Sequence, residues 1–176
     1  MPDYQALTEQ FQAAYRKGKY KEAAEICGLI AAGYEGSGEL ISAAEMKNNR
    51  SVALLKSGQA QAALAAAEGT DEIFAAGGDM RRQAIALGNQ AAAFEALGQM
   101  EKAANCYRES AGLLEKTGDK EMHAIVMKSL STIYMKQGKQ IDTVIALQAS
   151  LENDKHLSPR ERTIKKILNR LLSFLR

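Results

Sequence analysis

The sequence predicts an all-α solenoid of four helical hairpins closed by one further helix, and two glycine series together with an alanine-rich composition predict it. Gly18, Gly58, Gly98 and Gly138 stand 40 residues apart, in the contexts RKGKYKEA, KSGQAQAA, ALGQMEKA and KQGKQIDT. A second series keeps the same period: Gly38-Glu39, Gly78-Asp79 and Gly118-Asp119, continued by Ser158-Pro159. Glycine after an amphipathic run closes a helix, because the left-handed backbone needed there would bring a Cβ into a clash. The Asp or Ser-Pro that follows suits entry into the next helix. The two series therefore punctuate alternate helix ends. Of the residues, 46% are apolar but only 6% are aromatic, with no Trp. Small side chains in that proportion favour closely packed helices over a core of large groups.

The first hairpin is predicted at residues 4–17 and 20–34. The next three are 39–57 with 60–76, 79–97 with 100–117, and 119–137 with 141–153. A ninth helix covers 159–175. Segments of this size make about 27 Å of helix each at 1.5 Å per residue. The repeats thus span about 3–36, 39–76, 79–117 and 119–154, within one domain of residues 1–176. Five positions after the first-series glycines stand Ala23, Ala63, Ala103 and Thr143; nine after them stand Cys27, Ala67, Tyr107 and Leu147. A spacing of four puts both columns on one face of the second helix. Ala14, Leu54, Phe94 and Tyr134, four before each glycine, form the inner face of the first helix. Alanine at a crossing lets helices approach, and the larger residue one turn on fills the groove beside it.

This pattern resembles the tetratricopeptide repeat, whose turn signature is G-x-[Y]-x-x-A-x-x-x-[FY]. GKYKEAAEIC and GQMEKAANCY carry it most fully, GQAQAALAAA in part, and GKQIDTVIAL only in its apolar spacing. The chain departs from the family in its period of 40 rather than 34, in Gly-Asp where the family closes with Pro, and in Gln10, Arg50 and Gln90 at a usually apolar site. The longer period looks like the extended variant of kinesin light chains and related adaptors. The resemblance implies a right-handed superhelix whose first helices line a concave groove that binds a protein or peptide.

On that resemblance the groove holds Glu9, Asn49, Asn89 and Ser129, again 40 apart. Asn offers a donor and an acceptor, and so suits a peptide backbone. Neighbouring groove positions are Gln12, Val52, Ala92 and Thr132, then Arg16, Lys56, Ala96 and Lys136, with Lys128 and Glu45 nearby. The basic column Arg16, Lys56 and Lys136 is compatible with an acidic or carboxylate ligand, and equally with helix-dipole complementation at helix ends. A carboxylate clamp of the chaperone type is not expected: only Asn49, Asn89 and Lys128 fall near its positions, while Thr8, Asn48 and Gly88 fill others.

Charge is unevenly spread. Seven basic residues from Lys155 to Arg176 face Glu161 alone, so this segment carries +6 and residues 1–154 carry −4 of the net +2. Within it Ile164, Ile167, Leu168, Leu171, Leu172 and Leu175 form an apolar stripe, with Arg162, Lys165, Lys166 and Arg170 mostly elsewhere. Three readings stay open for this amphipathic helix: the cap a solenoid needs over its last face, a homodimerisation helix, or a basic surface for an anionic membrane or phosphate backbone. Nucleic acid fits least, since no aromatic residues interleave the basic ones.

Chemistry has little support. His123 and His156 form no H-x-x-x-H pair, Gly77-Gly78-Asp79-Met80 lacks the Lys-Ser/Thr of a phosphate loop, and Glu68, Asp71 and Glu72 read as solvated surface. Cys27 and Cys106 read as two reduced, buried thiols without a disulfide framework. No enzymatic activity, metal or cofactor is expected. No signal-peptide pattern or apolar run of membrane-spanning length is present, so the expected location is cytoplasmic. The expected function is an interaction scaffold, with a peptide-responsive sensor as the alternative.

Overall fold

The computed structural model describes residues 3–173, with side chains through Arg170. Helices are the only regular structure among these residues, ten in all: α1 (Tyr4–Arg16), α2 (Tyr20–Ser37), α3 (Leu40–Lys56), α4 (Ala60–Ala67), α5 (Thr70–Ala76), α6 (Met80–Ala96), α7 (Met100–Thr117), α8 (Lys120–Lys136), α9 (Gln140–Asn153) and α10 (Pro159–Ser173). Consecutive helices pack as hairpins, and each hairpin packs on the next.

Both glycine series close helices by one mechanism. At the end of α6 the Gly98 N–H donates to the Glu95 carbonyl and the Gln99 N–H to the Phe94 carbonyl, each at 2.9 Å. Gly98 has φ +74°. The same pair of bonds recurs at Gly18, Gly38, Gly58, Gly78, Gly118 and Gly138. This is the Schellman closure, in which two otherwise orphaned carbonyls are satisfied and the C3 residue is apolar. The first helices then begin on an Asp in three repeats. Asp3, Asp79 and Asp119 accept the N–H of Ala6, Arg82 and Met122, whereas Glu39 before α3 makes no such bond.

One element departs from the sequence reading. The second helix of repeat two is not continuous over 60–76 but breaks between α4 and α5, where Glu68 turns extended (ψ 130°) and Gly69 takes φ +73°. The carbonyl of Ala67 left over at the break accepts from Thr70 Oγ1 at 2.6 Å and from Gln90 Nε2 at 3.2 Å. Gln90 also donates to the Asp71 carboxylate. The polar residue at a usually apolar first-helix site is thus the partner of the break, and Asp71 is engaged rather than merely solvated.

The predicted core columns are inside in the first three repeats except at Phe94, which is half-buried, as are Tyr134, Thr143 and Leu147 in the fourth. Ala23, Ala63 and Ala103 are fully buried, as are Cys27 and Ala67, with Tyr107, Ala14 and Leu54 nearly so. Cys106, read as buried, is only half so. At the other odd polar site, Arg50 lies across Gly28 of α2, where a Cβ would come within 3.3 Å of the guanidinium. Tyr4 stacks on Tyr34, with ring centroids 4.7 Å apart, closing the first hairpin.

Repeats are also laced at their edges. Arg81 Nε meets Asp119 Oδ2 at 2.8 Å, Lys136 meets Glu95 at 2.8 Å and Lys139 meets Glu101 at 3.3 Å. Each pair joins near-equivalent positions of successive repeats. The first helices α3 and α6 touch one another, while no two second helices do so to a comparable extent. The described part of the final helix packs on α9. Ser158 and Glu161 cap it reciprocally: Glu161 Oε2 accepts the Ser158 N–H at 2.9 Å and Ser158 Oγ accepts the Glu161 N–H at 3.3 Å. Leu175 of the expected stripe lies outside the described residues, and so do the side chains of Leu171 and Leu172.

Candidate functional site

An open cleft of ≈ 260 Å³ lies between α3 and α6. It is lined by Glu45, Asn48, Asn49, Val52, Phe74, Arg81, Arg82, Ile85 and Asn89. Four of the fourteen groove residues read from the sequence meet here: Glu45, Asn49, Val52 and Asn89. Glu45, Asn49 and Val52 sit four or fewer positions apart along α3 and face Asn89 of α6 because the 40-residue period places equivalent turns of these two first helices side by side.

The amides are ordered by each other. Asn89 Nδ2 donates to Asn48 Oδ1 at 3.0 Å, and Asn48 Nδ2 donates to the Ala44 carbonyl at 3.2 Å. Asn48 is buried, so Asn89 holds a fixed orientation and keeps its own side-chain carbonyl as an acceptor. Asn49 is half-buried beside them. Arg82 closes one end of the cleft. It lies 3.5 Å from Glu45 and 3.3 Å from Asp79, with its guanidinium 6.0 Å from the centre of the Phe74 ring. The cleft therefore offers amide hydrogen bonds on an apolar floor, with its charges paired internally.

The other expected residues are elsewhere. Glu9, Gln12 and Arg16 are exposed on α1, Lys56 is exposed at the end of α3, and Ala92 is half-buried on α6. The basic column is not uniformly available. Lys136 is held by Glu95, and Lys128 is held by Glu161 of α10 at 2.8 Å. Thr132 donates to the Lys128 carbonyl. Glu95 also approaches the buried Tyr107 hydroxyl, as does Ser129. Burial is the main cause that pushes the Tyr107 pKa up to about 12. His123 shares a 3.1 Å hydrogen bond with Asn153, and among the described residues no three metal-ligating side chains converge.

Sequence reasoning missed Ile85, Arg81, Arg82, Asn48 and Phe74. Ile85 had a signal, since Glu45, Ile85 and Ile125 form another 40-residue column. Phe74 had none, because it reaches the cleft floor on α5, after the break.

No protein-family model and no curated protein sequence matches the chain. Solved structures do. The nearly identical TPR-like repeats of a Podosopora anserina protein described as a kinesin light chain superpose with a TM-score of 0.69 at 17% identity, over 98% of this chain and 94% of that one. A second structure of those repeats gives 0.68 at 17% identity, with the same coverage. The fold is that of a tetratricopeptide-like solenoid. BtubC (BKLC) from P. vanneervenii is similar over 89% of this chain and 74% of its own, with a TM-score of 0.60 and 14% identity. In the tetratricopeptide-like frame the α3–α6 cleft lies on the first-helix face, the side on which the resemblance places ligands. No helix among the described residues is long and apolar enough to cross a membrane.

Proposed function

We propose that this chain, as one domain of residues 1–176, is a cytoplasmic protein-interaction scaffold without catalytic activity. It holds an extended segment of a partner in the cleft between α3 and α6. The observation that carries this reading is the hydrogen-bonded amide pair Asn48 and Asn89, with Asn49 next to it, beside Ile85, Val52 and Phe74 in one cleft. Amides pair with a peptide backbone irrespective of its side chains, and apolar walls accept alternate side chains of an extended chain. The remaining groove positions, Glu9, Gln12, Arg16, Lys56, Ala92, Lys128, Thr132 and Lys136, extend the same inner surface to either side.

Peptides selected by phage display against the intact chain provide the ligand for a test. Asn49→Ala combined with Ile85→Ala is expected to weaken their binding by about tenfold or more, since each lost contact is worth about 1 kcal/mol. Helicity by circular dichroism should not change. Equal affinity in the double variant would remove the cleft from the proposal. Asn89→Ala is the poorer probe, because it also strips the buried Asn48 of a hydrogen bond.

A further inference from the structure

At two successive outward columns of the second helices the first three repeats carry polar or small residues and the fourth carries isoleucines; elsewhere on these faces Leu29 of α2 is also exposed, at 66%. Positions 40 apart read Lys21, Gln61, Glu101 and then Ile141; the next turn reads Glu25, Ala65, Asn105 and then Ile145. Ile141 is 77% exposed and Ile145 54%. Large aliphatic groups this open, stacked one turn apart on α9, are the kind of surface that soluble monomers keep small. Ile145 borders an open groove of ≈ 370 Å³ between α7 and α9, floored by Met127 and Leu130 of α8. Gly112 widens one wall: a Cβ there would meet nothing within 4 Å. Asp142 and Glu115 edge the groove, with Arg108 as its one strong cation.

A complementary surface lies on the neighbouring helix. α10 is attached to the body through Glu161, Lys165 and Asn169, which bond Lys128, the Leu151 carbonyl and Gln148. Arg160, Thr163 and Ile167 follow one another at spacings of three and four along a different stripe. All three are exposed, Ile167 at 53%, and Lys166 beside them is exposed as well. The helix's one acid is already taken by Lys128, so this stripe is apolar at its centre and basic at its edges. Two such stripes facing each other would repel. An acidic-edged apolar groove would not.

We propose that the groove between α7 and α9 receives α10 of a second copy of this chain. Ile167 enters beside Ile145, and Arg160 and Lys166 lie toward Asp142 and Glu115. Donor stripe and acceptor groove lie on one molecule, on helices that pack together. A two-fold pairing therefore fills both grooves at once and closes.

Analytical ultracentrifugation of the full chain at about 100 μM, a concentration that populates even weak specific interfaces, should give a dimer that loosens as salt rises. Ile145→Asp and Ile167→Asp should each give a monomer of unchanged helicity. Asp142→Lys should weaken association by about tenfold, and adding Lys166→Asp to it should restore most of the loss. A monomeric wild type, a dimer indifferent to Ile145→Asp, or open oligomers that lengthen with concentration would each overturn the proposal. So would a monomer that binds phosphatidylserine-containing vesicles through Ile167.

Discussion

At the start of α8, Asp119 does two things at once. One carboxylate oxygen accepts the Met122 N–H at 3.1 Å and the other meets Arg81 of the preceding repeat at 2.8 Å. The backbone bond first, and Arg81 after it, hold this carboxyl below its ordinary range. Asp119→Ala should cost about 1–2 kcal/mol in chemical denaturation, the usual loss for an N-cap. Glu39, at the equivalent place in the second repeat, makes no cap bond, so Glu39→Asp should stabilise by about 0.5–1 kcal/mol in the same assay. Cys27 offers a further residue-scale test. Burial pushes its thiol up to about 12, and a protonated, buried thiol is a poor nucleophile. A disulfide reagent at neutral pH should label the half-buried Cys106 first and reach Cys27 only on unfolding. The caps at Asp79 and Asp119 were legible as Gly-Asp pairs, whereas Asp3 follows a Pro. Glu39 stood out in the sequence as the Glu of that series, and the structure adds that its longer side chain makes no cap bond.

At the scale of elements the two informative features are the α4–α5 break and the attachment of α10. Gly69 has φ +73° at the break, so Gly69→Ala should destabilise by about 1–2 kcal/mol, the cost of a Cβ in the left-handed region. The sequence reading ran a single helix through this point, since one glycine in an alanine-rich periodic run is compatible with a helix. What decides it lies 21 residues on in Gln90, which bonds the freed Ala67 carbonyl. The α10 attachment carries a pH dependence. Glu161 is held down to about 2 from an ordinary 4.5, first by the hydrogen bond from Lys128 and then by those from Ser158. The folded state thus prefers the ionised carboxylate. Its contribution is complete above the ordinary value and is lost as pH falls from 4.5 toward about 2. Amide NMR shifts of α10 should move over that window in the wild type. In Glu161→Gln they should be displaced already at neutral pH and titrate little.

For the whole molecule the period of 40 determines more than topology. It sets equivalent residues of adjacent repeats beside each other, so bonds such as Asn48–Asn89 and Glu95–Lys136 cross repeat boundaries. Stability in such a stack is a sum of repeat and interface contributions. Leu114 is fully buried in the third repeat, within the cluster that packs α6, α7 and α8. Leu114→Ala should cost about 2–5 kcal/mol. Hydrogen exchange should show the loss in α6–α9 more than in α1, because contacts in a solenoid reach only neighbouring repeats.

The sequence by itself determined the all-α class, the hairpin count, the helix closures and the buried alanine columns. These follow from local backbone chemistry and from periodicity, which a single chain displays in full. It also brought Glu45, Asn49, Val52 and Asn89 into one groove, because a regular repeat maps register onto space. Only the tertiary structure decided which polar groups are spent internally. Lys128 and Lys136, read as groove positions, each lie against a carboxylate, 33 and 41 residues distant along the chain. Tertiary packing likewise broke the helix at Gly69 and brought Phe74 to the cleft floor. Such outcomes depend on the angle at which one helix meets another, and that angle is fixed by side chains far apart in the sequence.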